Sequence, residues 1–140
     1  MENIQIVKGP ISQNTLMEII SDVSGNKPDG AINVFIGQVR ADETDGKHVT
    51  AIEYEVHQSM AVKELNNLLN FITNKYKLNR MVVIHSEGLV PAGKWSLLVV
   101  STAPHRQQAI LATKEFIDLM KKHVPIWKKE LFDDGSHQWV

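Results

Sequence analysis

The strongest constraint on how this chain folds is an amphipathic segment at its middle, between Ser59 and Tyr76. Apolar side chains recur there every three or four residues: Ala61, Leu65, Leu68, Leu69, Ile72 and Tyr76. At that spacing they form one stripe along an α-helix of several turns, and the stripe must be buried against other elements. A chain of 140 residues, 43% of them hydrophobic, is long enough to build such a core, so we expect one domain over residues 1–140.

Around this helix, the apolar patterns of the chain are those of strands and of further helices. Alternating or β-branched runs predict strands over residues 4–7, 31–39, 49–56, 81–85 and 95–102, and helical spacing predicts helices over residues 12–23 and 105–123. The order lacks the strict strand–helix–strand repeat and the glycine fingerprint of nucleotide-binding folds. We therefore expect an α+β fold with mixed or antiparallel strands and three main helices.

Proline, glycine and polar residues predict where these elements end. Residues 41–47 are polar and predict a loop. Gly88 and residues 91–93 predict a second loop, which would join two paired strands. Pro104 fits the first position of the third helix, and that helix must end before Pro125, because the residue preceding a proline is biased away from helix.

The charge and the cysteine content limit the chemistry that this chain can perform alone. Its formal net charge is -1, so no global basic field draws it to nucleic acid or to membrane surfaces. The absence of cysteine excludes disulfides, thiolate metal ligands and cysteine nucleophiles, so any sulfur that it handles must come from a partner. Because there is no basic leader before an apolar run, and no stretch of the roughly 20 apolar residues that a membrane span needs, we expect a soluble cytoplasmic protein.

One candidate site is the pair His105-Arg106 in the first turn of the third predicted helix. Free backbone N–H groups and the positive end of the helix dipole favour an anion there, and Arg106 could add a bidentate phosphate contact. The alternative is a solvated first turn with a capping role. The pair alone does not distinguish these two interpretations.

A second candidate site is the basic segment that follows the same helix, from Lys121 to Glu130. Between Arg106 and Glu130 there are six basic residues and three acidic ones, which is a local excess of positive charge in a chain of net charge -1. Such an excess could line an anionic pocket, and a partly desolvated lysine beside other cations could serve as a base or a nucleophile. The alternative is that lysines near a helix C-terminus are solvated and only complement the dipole.

The remaining polar residues do not form a recognisable metal or hydrolase motif. No two of the six histidines form a metal-binding i, i+4 pair accompanied by a carboxylate, so we predict no metal and no cofactor. For most of these histidines the spacing favours structural or surface roles. The serines at positions 59, 86, 96 and 101 lie in no nucleophile-elbow context, so a hydrolase triad has no support.

Several short segments, taken together and in order, form a specific pattern. They are Phe35-Ile36-Gly37-Gln38-Val39-Arg40, Glu53-Tyr54-Glu55 with Met60-Ala61, Ile84-His85 with Gly88, His105-Arg106, and Pro125-Ile126-Trp127-Lys128-Lys129-Glu130 with Gly135 and Trp139. Together they resemble the large subunit of molybdopterin synthase, and the match extends over nearly the whole chain. Two positions depart from the family pattern: Ser86 stands where many relatives carry arginine, and the sequence ends at Val140 where many continue into a charged tail.

The resemblance implies an α/β hammerhead-type fold and a sulfurtransferase of molybdenum cofactor biosynthesis. Such an enzyme converts cyclic pyranopterin monophosphate to molybdopterin by adding two sulfurs. The implied assembly is a heterotetramer, in which a homodimer of large subunits carries one small ubiquitin-like subunit on each chain. That partner brings the sulfur as a C-terminal glycine thiocarboxylate, in agreement with the absence of cysteine here.

The resemblance also implies roles for individual residues. The two catalytic lysines of the family fall on Lys121 and Lys128. The substrate-binding positions fall on Gln38, Val39, Arg40, His105, Arg106, Lys121, Lys128, Lys129 and Glu130. For a cyclic phosphate, the arginines would act as fixed cations, and the lysines as acid, base or oxyanion stabiliser.

Two other functions remain open on the sequence. The basic helix end and Trp127 could grip an acidic or ubiquitin-like partner tail without turnover, as a binding module. Trp127 and Trp139 could instead stack bases in a small RNA-binding domain, although the net negative charge and the lack of a repeated aromatic platform count against this. Product formation separates the first alternative from an enzyme, and salt-dependent RNA binding would support the second.

Overall fold

The computed structural model describes residues 1–140, which form eight strands and three helices. In chain order they are β1 (Ile4–Lys8), α1 (Gln13–Val23), β2 (Ala31–Gln38), β3 (Glu43–Thr44), β4 (Lys47–Val56), α2 (Gln58–Tyr76), β5 (Arg80–Pro91), β6 (Trp95–Ala103), α3 (Arg106–His123), β7 (Ile126–Phe132) and β8 (His137–Trp139). The predicted α+β class and the three helices are confirmed. None of the helices combines the length and the apolar character that a membrane span requires.

The strands form one mixed sheet in the order β2-β6-β5-β4-β7-β8. Strand β1 adds to β5 in parallel, and β3 forms a short hairpin with β4. All other pairings are antiparallel. Strand β2 pairs only with β6, so one side of its backbone forms a free edge of the sheet.

Both faces of the central strands are buried, which explains why their sequences are continuous apolar runs. In β6, Leu97 and Val99 point to a cluster beneath α2 and α3, whereas Leu98 and Val100 point to a smaller cluster beneath α1. The larger cluster receives Ala61, Leu65, Leu69 and Ile72 from α2 and Ala109, Ala112, Phe116 and Met120 from α3. The amphipathic stripe predicted for the middle of the chain is therefore confirmed.

The predicted loop between two paired strands is confirmed only after Pro91, where a tight turn joins β5 to β6, and it is wrong at Gly88, because β5 continues as a strand to Pro91. Gly88 adopts a φ of 84°, a left-handed conformation that glycine reaches without steric cost. The strand changes neighbours at this residue: Arg80–His85 pairs with β6, and residues 88–91 pair with β4. Gly88 therefore lets β5 join two parts of the sheet, and backbone pairing with β4 satisfies groups that a loop would expose.

Two smaller predictions are also wrong. Residues 41–47 are not a simple loop, because Asp45-Gly46, both at positive φ, form the tight turn of the β3–β4 hairpin. Pro104 is not the first helical residue, since α3 begins at Arg106 and His105 is its N-cap. The His105 side chain makes no capping hydrogen bond, so it does not satisfy the N–H groups of the first turn.

Candidate functional site

A cavity of about 680 Å³ opens between the end of β2, the strands β4 and β7, and the C-terminal end of α3. Six of the predicted site residues line it: Gln38, Val39, Arg40, Lys121, Lys128 and Glu130. They come from the end of β2 and from the consecutive elements α3 and β7, which are distant from β2 in sequence. The fold therefore brings most of the candidate residues into one place.

Two lysines face the cavity from different elements. Lys121 lies in the last turn of α3, directly after buried Met120, and the helix ends at His123, because its C-cap Val124 is extended before Pro125. Lys128 lies on β7 opposite Tyr54, and since cross-strand partners share a sheet face, its side chain lies on the same face as that buried tyrosine. Neither amine forms an ion pair within the chain. Both cations are thus free to meet a ligand.

The environment of Lys128 changes its acid–base behaviour. Burial lowers the pKa of its ammonium below the ordinary 10.5, the positive charge of Lys121 lowers it further, and the carboxylate of Glu130 opposes the shift. A lysine with a lowered pKa gives up its proton more readily than a solvated one. Lys128 is therefore suited to proton transfer as well as to charge stabilisation.

The end of β2 places Arg40 at the mouth of the cavity. Val39 is buried, and its backbone is fixed by hydrogen bonds from its N–H to the Lys94 carbonyl at 2.9 Å and from the Gly93 N–H to its carbonyl at 2.8 Å. The next residue, Arg40, has a side chain 83% exposed and only a 3.4 Å contact with Asp42. An exposed pair of this kind is weak, so Arg40 can turn to an anionic ligand.

Three predicted site residues do not line the cavity. His105 and Arg106 are exposed at the opposite end of α3 from Lys121, and fifteen residues of helix correspond to about 22 Å. Lys129 alternates with Lys128 and points to the other sheet face, where its amine lies 3.3 Å from Glu53 and 5.4 Å from the centre of the Trp139 ring. Within one chain, these residues cannot share a ligand with Lys121.

The two tryptophans lie on this outer face as well. Trp127 is the cross-strand partner of Glu55, and Trp139 is the partner of Lys129, which is itself opposite Glu53. Each indole is 52% exposed. Because two carboxylates share the face, it is a poor platform for stacking the bases of a polyanion.

The sequence prediction missed three polar residues on the inner wall of the cavity: Tyr54, His85 and Ser96. The Tyr54 hydroxyl donates a 2.9 Å hydrogen bond to Ser96, and burial raises the pKa of this phenol. The His85 ring meets the Tyr54 ring edge to face, with 5.2 Å between centroids. A sequence signal existed, since each of these polar groups lies on the inward face of a largely apolar strand.

Fold and cavity together define an α+β protein with a cationic pocket suited to a small anionic ligand. The chain belongs to the MoaE family: the family model described as "MoaE protein" matches residues 6–123. Its fold is similar to that in the crystal structure of molybdopterin synthase from Staphylococcus aureus, with a TM-score of 0.86, 31% identity, and coverage of 100% of this chain and 98% of that one. The family resemblance and its fold are thereby confirmed.

Relatives with assigned names support the same family. The molybdopterin synthase catalytic subunit of Dictyostelium discoideum is 37% identical over 139 residues, which cover 97% of this chain and 85% of the relative. The protein of the same name from Drosophila willistoni is 36% identical over 141 residues, covering 99% of this chain. The chain spans only 37% of the length of that Drosophila relative.

Proposed function

We propose that this chain is the catalytic subunit of a molybdopterin synthase in molybdenum cofactor biosynthesis, with residues 1–140 acting as one domain. It would transfer two sulfurs to cyclic pyranopterin monophosphate from the thiocarboxylated C-terminus of a small ubiquitin-like partner in the cytoplasm. The observation that carries this proposal is the pair of unpaired lysines in the cavity, Lys121 and Lys128. We assign to them the roles of the family's two catalytic lysines, as the sequence resemblance implies.

The cavity is suited to such a substrate in size and charge. Its volume of about 680 Å³ lies within the range of roughly 300–1,000 Å³ typical of small-molecule sites. Arg40 at the mouth supplies a fixed cation for the phosphate. When the thiocarboxylate sulfur attacks a substrate carbon, Lys121 can stabilise the developing charge, and Lys128 can protonate the oxygen that leaves this carbon because its pKa is lowered. Water then cleaves the acyl–sulfur bond, which leaves the sulfur on the substrate and returns the partner's C-terminus as a carboxylate.

A homodimer is part of the proposal, and the free edge of β2 supports it. Apolar side chains are exposed along this edge and on the adjoining face of α3: Ile32, Val34, Phe35, Ile110 and Leu111. A groove of about 390 Å³ lies between the two elements. An unpaired strand edge beside exposed apolar surface is suited to cover by another chain.

The dimer would also give His105 and Arg106 a role. Phe35 lines both the groove and the cavity, so a second copy docked along β2 would border the cavity. The first turn of α3 from that copy could then present its cation and free N–H groups to the substrate phosphate. We propose that each cavity takes Lys121 and Lys128 from one chain and His105 and Arg106 from the other.

The test is reconstitution from purified components. The chain is incubated with cyclic pyranopterin monophosphate and a thiocarboxylated small partner, and the dithiolene product is measured. We expect product in proportion to the thiocarboxylate supplied, and none when the partner carries an ordinary carboxylate. Partner binding without product would support the binding-module alternative and contradict the proposed enzyme.

A further inference from the structure

His85 is a buried polar residue on the inner wall of the cavity that the proposed mechanism does not use. It lies on β5 between Leu97 of β6 and Ile6 of β1, and only 5% of it is exposed. The one hydrogen bond of its side chain within the chain joins Nδ1 to the carbonyl oxygen of Ser86, at 2.7 Å. Nε2 has no hydrogen-bond partner within the chain. It is not one of the fully buried, unpartnered polar atoms of the core, so it keeps some exposure, and because His85 lines the cavity we infer that Nε2 faces it.

The partner of Nδ1 fixes the form of the ring. A carbonyl oxygen can only accept, so Nδ1 must carry the proton, and in a neutral ring Nε2 then carries a lone pair. Burial, and to a lesser extent the charge of Lys128, lowers the pKa of His85 to about 4, while its bond to the Ser86 carbonyl opposes the shift. The ring is therefore a neutral acceptor at physiological pH.

This acceptor differs from the other polar groups around it. Arg40, Lys121 and Lys128 only donate in their charged forms, and the Tyr54 hydroxyl donates to Ser96. Asp42 and Glu130 are anions, and the exposed amide of Gln38 is not held by any hydrogen bond of its side chain within the chain, so His85 is the buried neutral acceptor of the cavity. Cations alone would hold any phosphate, whereas a fixed neutral acceptor selects a ligand that also carries an uncharged donor.

We propose that His85 is a specificity-determining residue of the cavity, whose Nε2 accepts a hydrogen bond from a ring N–H of the bound substrate while the cations hold its phosphate. The inference rests on the proposed function, because a pyranopterin carries both a phosphate and ring N–H donors. It assigns the two parts of the substrate to two sides of the cavity: phosphate toward the cations, and pterin ring toward β5 and Tyr54.

The test compares two ligands and three variants by calorimetry. His85→Leu removes the acceptor, His85→Gln can place a side-chain oxygen near the position of Nε2, and Ser86→Ala removes the neighbouring buried hydroxyl but keeps the carbonyl that orients the ring. For cyclic pyranopterin monophosphate, we expect His85→Leu to bind about tenfold more weakly, and the other two variants within about threefold of the wild type. Affinity for inorganic phosphate should stay unchanged in all three, because it carries no ring donor.

A second measurement uses the unmodified chain and does not depend on the folding of a variant. With 15N-labelled histidine, the Nε2 signal of His85 should shift when the pyranopterin is added and stay in place when inorganic phosphate is added. An unmoved signal, or equal pyranopterin affinity in His85→Leu and wild type, would overturn the role of His85. Failure of the wild type to bind the pyranopterin or to form product would instead contradict the proposed function itself.

Discussion

At the scale of single residues, Lys128 shows that the site is built at a cost in stability. Its folded-state pKa lies below the ordinary 10.5, so the unfolded chain binds the proton more tightly. Stability contributed through this group therefore rises as pH rises from the folded value toward 10.5, and the penalty is fully present below the folded value. We predict that Lys128→Met loses most turnover without lowering the free energy of unfolding at pH 7, as measured in urea.

Lys129 provides the matched control for that variant, because it lies on the opposite sheet face beside Glu53. Lys129→Met should keep turnover within a few-fold of the wild type. A clear loss of stability in Lys128→Met, or equal loss of turnover in both variants, would contradict the assignment. The sequence could not distinguish these adjacent lysines, because only the register with β4 decides which one faces the cavity.

The lowered pKa of His85 predicts that the free energy of unfolding rises with pH, as for Lys128, but in a window at lower pH. Its pKa is about 4 in the folded chain and near 6.5 when unfolded, so the unfolded state takes up the proton first as pH falls. Stability from this group is complete above about pH 6.5 and is lost toward pH 4, by about 3 kcal/mol. Urea unfolding of wild type and His85→Gln across this window measures the difference, and parallel pH curves would show that His85 does not titrate as described.

At the scale of elements, Gly88 is the position where β5 passes from one set of neighbours to another. A Cβ at this residue would meet no atom within 4 Å, so the cost of Gly88→Ala comes from its φ of 84° alone. We predict a loss of about 1–2 kcal/mol in the free energy of unfolding. Turnover should also fall, because residues 88–91 pair with β4, which carries Tyr54 into the cavity.

Gly25→Ala is the control for this effect. Gly25 also has a positive φ, 87°, with open space around it, but it follows α1 and does not border the cavity. It should show a similar loss of stability with normal turnover per folded molecule. Equal activity in the two variants would mean that the bend of β5 does not position the site.

The elements also show which parts of the fold a sequence can specify. The amphipathic stripe of α2 and the apolar runs of β5 and β6 predicted their elements, because each pattern needs a buried face. The extension of β5 beyond Gly88 was missed, since its pairing with β4 depends on long-range backbone contacts. His85 was missed for a related reason: a lone histidine becomes part of a site only when β2, β4, β7 and α3 enclose a cavity around it.

At the scale of the whole molecule, the separation of Arg106 from Lys121 predicts a site shared between two chains. Sedimentation should give about twice the 15.8 kDa of one chain. Arg106→Ala and Lys121→Ala should each be nearly inactive alone. After the two variants are mixed and allowed to exchange subunits, we predict recovery of about a quarter of wild-type turnover, because half of the dimers then contain one intact cavity. No recovery despite exchange would show that the two residues do not serve one cavity.

The central claim is that the cavity at the end of α3 performs sulfur transfer through Lys121, and one measurement tests it most directly. Product is assayed with the thiocarboxylated partner for wild type, Lys121→Ala, Lys121→Arg and Lys122→Ala, the last being the neighbouring exposed lysine that does not line the cavity. We predict near-complete loss in Lys121→Ala, poor rescue by Lys121→Arg because guanidinium does not readily give up its proton, and normal turnover in Lys122→Ala. A lysine that only complements the helix dipole would contribute about 0.3–1 kcal/mol to stability. Near-normal turnover in a folded Lys121→Ala that still binds the partner would therefore contradict the claim.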